Sequence, residues 1–203
     1  DVHYNLARLI YSYQLSAPEK VYKDWTYEKA LSEVRAAINM DPLPIYTQLE
    51  GDILYANKDY VGAFASYDKV TKSNLVSPAV FFSAAKAKEM SQADPKEVIA
   101  LLDSCIAHCT TPMTSDNAPY LLERARMYMQ TEQYRPAMLD YDAYFDAVKG
   151  NVNDMFYYYR EQASFHAKQF QRAVDDISKA IEINPAALTY RDEQAVVNIP
   201  RGR

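Results

Sequence analysis

The chain repeats one amphipathic pattern five times at nearly constant intervals, and this repetition limits the folds open to it more than any other feature. The segments YVGAFASYDKV (60–70) and FQRAVDDISKA (170–180) each place a small residue three positions after an aromatic one. Apolar residues follow four and seven positions later. The residues in the small-residue role are spaced by 33, 35, 39 and 36 positions: Ala30, Ala63, Val98, Ala137 and Ala173. Steps of three and four place the whole pattern on one face of an α-helix.

A second amphipathic segment precedes each of these helices, so the repeating unit is predicted to be a helix pair. In the second unit Gly51 occupies the small-residue position of this first helix, where the absent Cβ allows a neighbouring helix to come close. Turn signals lie at NKDY (57–60), Asp41-Pro42 and Asn184-Pro185. A single helix pair cannot bury both of its apolar faces, so the pairs are expected to stack.

The segments EKALSEVRAAINMDP (28–42) and QRAVDDISKAIEINP (171–185) resemble the second helix of the tetratricopeptide repeat (TPR) motif, and the resemblance extends over about residues 2–186. It implies an all-α fold, a right-handed α-solenoid of stacked antiparallel helix pairs that forms a single domain over 1–203. About ten residues more than the motif allows separate Tyr11 from Ala30, which predicts a longer first helix or a loop. The predicted repeats span about 2–42, 43–77, 78–112, 118–150 and 153–186, with a terminal capping or truncated helix at 187–198.

The resemblance also implies where a partner binds. In this family the first helices line a concave surface, which suits an extended peptide or a partner's helix. The predicted groove residues lie on the first helices but off the packing stripe: Tyr13, Gln48, Asp52, Tyr55, Ser83, Ala87, Met90, Leu122, Arg126, Met129, Tyr158, Gln162 and Phe165. Aromatic, Met and Arg side chains are enriched at interface centres, although Tyr55, Met90 and Met129 taken singly also suit packing between helices.

The sequence argues against one known ligand of such grooves, the C-terminus of a chaperone. TPR modules that bind chaperone C-termini clamp the terminal carboxylates with basic and amide side chains. The corresponding places here hold Asn5, Leu9, Asp52, Ser83 and Ala84, so the basic clamp is missing. An apolar or mixed segment is therefore the expected ligand.

Charge and glycine content exclude several classes of ligand. The formal net charge is −5 and the basic residues are scattered, so nucleic acid is not an expected partner. The chain has 4 glycines, all isolated, which argues against a glycine-rich nucleotide loop. No stretch is apolar enough for membrane insertion. The sequence leaves the compartment unknown: a soluble protein is expected, either cytoplasmic or in the cell envelope with an upstream signal segment.

Four short stretches contain residues capable of chemistry. In CIAHC (105–109) the two cysteines and the histidine share one side of a helix, but zinc needs further ligands, so Cys105 is expected to pack in the core. The acidic pairs Asp140/Asp142 and Asp175/Asp176 are expected on solvated helix surface. In FYYYR (156–160), Tyr157 is predicted to pack, with Tyr158 or Tyr159 facing the groove.

These features predict a protein-protein interaction module that is not an enzyme and uses no cofactor or metal. The partner is expected to be a protein or peptide. The alternative is a structural role, in which the chain associates with itself or docks against another domain of the same polypeptide. A metal-binding or redox protein that uses Cys105, His108 and Cys109 is the third hypothesis.

Overall fold

The computed structural model describes residues 1–16, 22–74 and 76–186. This part of the chain forms ten α-helices and no β-strand, which confirms the all-α prediction. The predicted terminal helix at 187–198 lies outside the described residues. The helices are α1 (Val2–Ser16), α2 (Tyr27–Met40), α3 (Pro44–Ala56), α4 (Tyr60–Thr71), α5 (Pro78–Met90), α6 (Pro95–Ala107), α7 (Pro119–Gln130), α8 (Tyr134–Ala147), α9 (Asp154–His166) and α10 (Phe170–Ile183).

The helices pack as five consecutive pairs, from α1 with α2 to α9 with α10. The chain divides into two compact units, which we call unit 1 (residues 1–108, α1–α6) and unit 2 (residues 109–203, with α7–α10). Within unit 1, α2 packs on α3 and α4 on α5; within unit 2, α8 packs on α9. Each pair therefore stacks on the next inside its unit, as the solenoid prediction requires. A single domain over 1–203 stays a prediction.

The five residues in the small-residue role all lie in the hydrophobic core. Ala30, Ala63, Ala137 and Ala173 are fully buried and Val98 is 1% exposed. Gly51 lies in the middle of α3. A Cβ added there would lie 2.7 Å from Cε1 of Tyr67 on α4, which is too close for two carbon atoms. The sequence-based expectation that these positions record helix packing is confirmed.

Proline and short polar side chains define where many of the helices begin. Four helices start with proline, whose fixed φ and missing N–H suit the first helical position: α3, α5, α6 and α7. Other starts are capped by a side-chain oxygen that accepts a hydrogen bond from a backbone N–H, as Thr26, Asp59 and Asn153 do.

The turn inside each of the last four pairs has the same backbone geometry. Lys58, Gln92, Glu132 and Lys168 have φ values of 64°, 60°, 58° and 61°. In the turn after α3, the Lys58 N–H donates to the Tyr55 carbonyl and the Asp59 N–H to the Leu54 carbonyl. This is a Schellman motif, which satisfies the last carbonyls of the helix and reverses the chain. None of the four residues is glycine, so the sequence does not reveal the shared conformation.

Buried ion pairs join the helices of unit 2. Arg124 on α7 donates two hydrogen bonds to Asp140 on α8, and Arg160 on α9 donates two to Asp176 on α10. The two carboxylate residues are only 5% and 3% exposed. The expectation of solvated surface is therefore wrong for Asp140 and Asp176, because an arginine sixteen positions earlier in each pair supplies a counter-charge. Asp175, by contrast, is exposed.

Candidate functional site

Unit 2 contains an open cavity of about 490 Å³ between α7 and α9, which we call the α7–α9 cavity. Both helices are the first members of their pairs. Its lining residues come from α7, from one tyrosine of α8 and from α9: Leu122, Glu123, Arg126, Met129, Gln130, Tyr141, Phe156, Tyr158, Tyr159 and Gln162.

The walls of the cavity are mainly aromatic. Tyr159 of α9 lies roughly parallel to Tyr141 of α8, with ring centroids 6.5 Å apart, and tilts against Tyr158 at 6.2 Å. Phe156 completes this side and packs on Tyr144 at 5.0 Å. Leu122 and Met129 provide the opposite, aliphatic wall and are partly buried against the core of unit 2. The Tyr159 side chain stays 42% exposed, so a ligand can reach it.

The polar groups around the cavity are balanced in charge. Arg126 pairs with Glu123 on the same helix, with 3.2 Å between Nε and Oε1. Burial raises the pKa of Tyr141 to about 12, with Tyr159 and Asp140 adding to the effect and Arg126 opposing it. The phenol is therefore neutral at physiological pH and available for hydrogen bonding. An uncharged, largely apolar ligand group matches this lining best.

Five of the predicted groove residues are brought together here: Leu122, Arg126, Met129, Tyr158 and Gln162. Phe165 is not among the lining residues, and its ring instead packs edge-on against Phe170 at 5.7 Å. Sequence reasoning missed four lining residues: Glu123, Gln130, Tyr141 and Phe156. The FYYYR run was the available signal, and its assignment of Tyr158 or Tyr159 to the groove agrees with the cavity lining. Tyr157 packs on Phe145 at 4.9 Å, as expected.

In unit 1, two predicted residues lie at a smaller recess of about 170 Å³, lined by Tyr55, Tyr67, Phe82, Ser83 and Lys86. Tyr55 and Ser83 are lining residues. Asp52, one turn before Tyr55 on α3, accepts a hydrogen bond of 2.7 Å from the Tyr67 hydroxyl, which forms part of the recess wall. We call Asp52 and the lining residues the Asp52 recess.

The remaining predicted residues of unit 1 have other environments. Ala87 is fully buried, so its assignment to an open groove is wrong: the small side chain is part of the core that α5 shares with neighbouring helices. The Tyr13 ring packs at a tilt against Tyr22 and edge-on against Trp25, two residues that lie between α1 and α2. Met90 is exposed at the end of α5, and Gln48 is half-buried.

The CIAHC stretch does not assemble a metal centre in the described part of the chain. Cys105 is buried, Cys109 is half-buried, and the exposed His108 ring lies 4.7 Å from the ring of Phe81. No group of three or more His, Cys, Asp or Glu residues within 1–16, 22–74 and 76–186 is arranged to hold a metal ion. Nor does any helix in these ranges have both the length and the apolar character needed to cross a bilayer.

Comparison with solved structures identifies the architecture. YrrB, described as a TPR protein with an unusual peptide-binding site, superposes with a TM-score of 0.71 at 14% identity over 95% of this chain and 90% of its own. MamA superposes at 0.69 and 14% identity, covering 99% and 98%, and PilF of Pseudomonas aeruginosa at 0.63 and 18%, covering 94% and 80%. The fold is that of the TPR proteins.

The TPR fold accounts for the position of the α7–α9 cavity. Most of its lining residues lie on α7 and α9, the first helices of consecutive pairs, while Ala137 and Ala173 of the second helices are fully buried. Comparison with family models and with curated protein sequences gives no match, so the likeness rests on the structure.

Proposed function

We propose that the chain is a non-catalytic protein-interaction module that binds a peptide segment or a partner helix in the α7–α9 cavity. The observation that carries this proposal is the cavity itself, about 490 Å³ of open, aromatic-walled space on two consecutive first helices. This volume falls within the range of about 300–1,000 Å³ that is typical of ligand sites. The peptide-binding site for which YrrB is described gives further support.

The lining favours a large apolar side chain as the anchor of the ligand. Tyr159, Phe156 and Met129 belong to the residue types that are enriched at the buried centres of protein interfaces. Glu123 and Arg126 neutralise each other at the rim, so a charged anchor would lose water without gaining a partner. Gln130 and Gln162 add side-chain amides to the lining, a group type that can both donate and accept hydrogen bonds.

The proposal is tested by selecting displayed random dodecapeptides against the whole chain and measuring the affinity of the selected peptides. We expect the selected sequences to share a large apolar residue. The variant Tyr159→Ser should weaken binding about tenfold or more, because it removes an exposed aromatic wall. Leu139→Ser is the matched control, since Leu139 is a 58% exposed apolar residue of the same unit outside the cavity lining. Equal loss in both variants, or loss in neither, would overturn the proposal.

The same variants distinguish self-association from peptide binding. Light scattering over a range of concentrations would reveal association of the chain with itself. If association occurs and Tyr159→Ser abolishes it, a second copy occupies the cavity and the structural alternative replaces the peptide-binding proposal. If the chain stays monomeric while peptides bind, the proposal stands.

A further inference from the structure

Asp52 in unit 1 is a half-buried carboxylate that has no positive partner in the described part of the chain. It lies in the middle of α3 and accepts one hydrogen bond, from the Tyr67 hydroxyl at 2.7 Å. Among the described residues it makes no ion pair, whereas the buried acids Asp140 and Asp176 of unit 2 are each held by an arginine.

The surroundings of Asp52 disfavour the charged form of its carboxyl group. Burial raises the pKa of the Asp52 carboxyl above its ordinary value, and the hydrogen bond from Tyr67 only partly opposes the effect. Burial also raises the pKa of Tyr11 to about 12, with the nearby Asp52 charge as the second cause. The neighbouring phenols are thus neutral, and a cation would relieve the carboxylate more than any group now beside it.

The recess next to Asp52 is shaped for one side chain with an apolar stem. Its volume is about 170 Å³, too small for a helix, and its walls include the rings of Tyr55, Tyr67 and Phe82. Aromatic faces attract cations, and they also pack against the methylene groups of a long basic side chain.

The charges around the recess also favour a cation. Lys86 is the one basic residue among those that line the recess, and its ammonium is paired with Glu89 at 2.7 Å. Glu89 therefore compensates the Lys86 charge, whereas no ion pair among the described residues compensates the charge of Asp52. An incoming cation would pair with the Asp52 carboxylate in a site that partly excludes water, where electrostatic attraction is stronger than at an open surface.

We propose that the Asp52 recess binds the guanidinium group of an arginine side chain from a partner peptide. A planar guanidinium stacks on aromatic rings, is weakly hydrated and can donate two hydrogen bonds to one carboxylate, so arginine fits this site better than lysine. The proposal does not depend on the α7–α9 cavity, because the two sites share no residue and lie in different units.

The test uses two small probes that differ in charge but hardly in shape. N-acetyl-arginine amide and N-acetyl-citrulline amide are titrated separately into the ¹⁵N-labelled whole chain and followed by two-dimensional NMR. We expect the arginine probe to shift the backbone resonances of Asp52, Tyr55 and Ser83, and the neutral citrulline probe to leave them unchanged. Equal shifts from both probes, or no shift from arginine at its solubility limit, would overturn the proposal.

A pair of variants separates the role of Asp52 from general charge effects. Asp52→Asn keeps an oxygen that can accept the Tyr67 hydrogen bond and removes only the charge. It should weaken arginine binding about tenfold or more, the usual scale for losing a charge-assisted hydrogen bond in a partly buried site. Asp68→Asn makes the same change on α4 of the same unit, at an acid that pairs with Lys72 on the surface, and should bind the probe as the unmodified chain does. Equal affinity of Asp52→Asn and the unmodified chain would contradict the assignment.

Discussion

At the scale of single residues, the partly or fully buried tyrosines differ from Asp52 in whether they carry a charge at neutral pH. The pKa values of Tyr11, Tyr67 and Tyr141 are all raised above the ordinary range, first because of burial and then because of nearby acids or phenols. These tyrosines therefore remain neutral and contribute hydrogen bonds and aromatic surface. Asp52 makes no ion pair with any described residue, so in the folded chain it either carries an unpaired charge or takes up a proton, and its ionisation affects stability.

We expect Asp52→Asn to stabilise unit 1 at neutral pH and to have a smaller effect in acid. The pKa of Asp52 is raised in the folded state, so the folded form binds the proton more tightly than the unfolded form does. The stability linked to this proton is present below the ordinary pKa and is lost as pH rises through the raised value. Urea unfolding at about pH 7 and about pH 4 measures the difference between the variant and the unmodified chain. A difference that grows on acidification would contradict the expected sign.

At the scale of helix pairs, unit 2 combines close packing with a recurring ion pair. Ala137 and Ala173 allow α8 and α10 to approach their partners, and the bidentate pairs Arg124–Asp140 and Arg160–Asp176 lie at equivalent places in the two pairs. Arg160 is further held by Asp142 at 3.1 Å and lies 3.9 Å from the Phe145 ring centroid. Each pair thus has a fixed geometry, which keeps the first helices in position to form the cavity.

Replacing Ala63 with leucine should destabilise the chain by about 1–3 kcal/mol. Ala63 is fully buried on α4, and three additional carbon atoms would force the helices apart or the side chain out of a favoured rotamer. Ala65→Leu is the control, because Ala65 is exposed on the same helix and its replacement should change the free energy of unfolding by no more than about 0.5 kcal/mol. Chemical denaturation of both variants measures the difference. Equal effects would show that the helix register is wrong.

Arg160→Met should cost about 3 kcal/mol, because it leaves the Asp176 carboxylate buried without its counter-charge. Arg172→Met should cost less than about 1 kcal/mol, since Arg172 is more exposed and its partner Asp142 also pairs with Arg160. Replacing Asp176 with leucine in the Arg160→Met background should recover part of the loss. Urea denaturation gives the three values, and a large effect of Arg172→Met alone would contradict this ranking.

At the scale of the whole chain, each unit has a hydrophobic core of its own. One cluster of buried residues runs from Ala7 to Ala87 within unit 1, and others lie between Ala125 and Ala180 in unit 2. Helical repeats contact mainly their neighbours, so a stack that contains several pairs can be stable without the rest of the array.

We therefore expect a fragment of residues 1–108 to fold alone. It contains three helix pairs and the whole of the unit 1 cluster. Far-UV circular dichroism should show a helical spectrum and a single cooperative thermal transition. The same measurement on residues 1–76, which end before the third pair, provides the comparison and should show a lower midpoint. A broad, non-cooperative transition for 1–108 would mean that unit 1 needs unit 2 to fold.

Much of the fold could be predicted from the sequence because helix periodicity is a local property. Offsets of three and four around Ala30, Ala63, Val98, Ala137 and Ala173 correctly predicted the buried face, and Gly51 correctly indicated a close approach. The candidate site was predicted less completely. The spacing on α7 and α9 selected Leu122, Arg126, Met129, Tyr158 and Gln162, but Tyr141 reaches the cavity from α8, and no spacing within one helix predicts that.

The repeated pattern alone therefore specified an all-α fold of helix pairs, since the period of the apolar residues and the proline positions act within a few turns of chain. Only the tertiary structure decided which polar residues are buried and which of the predicted groove residues lie together at one site. The sequence predicts Asp140 and Asp176 at the surface, but in the structure they are buried and paired with Arg124 and Arg160. The sequence predicts Ala87 in the groove, but in the structure neighbouring helices bury it. The physical reason is that burial and charge pairing depend on residues from other helices, which the local period of one helix does not encode.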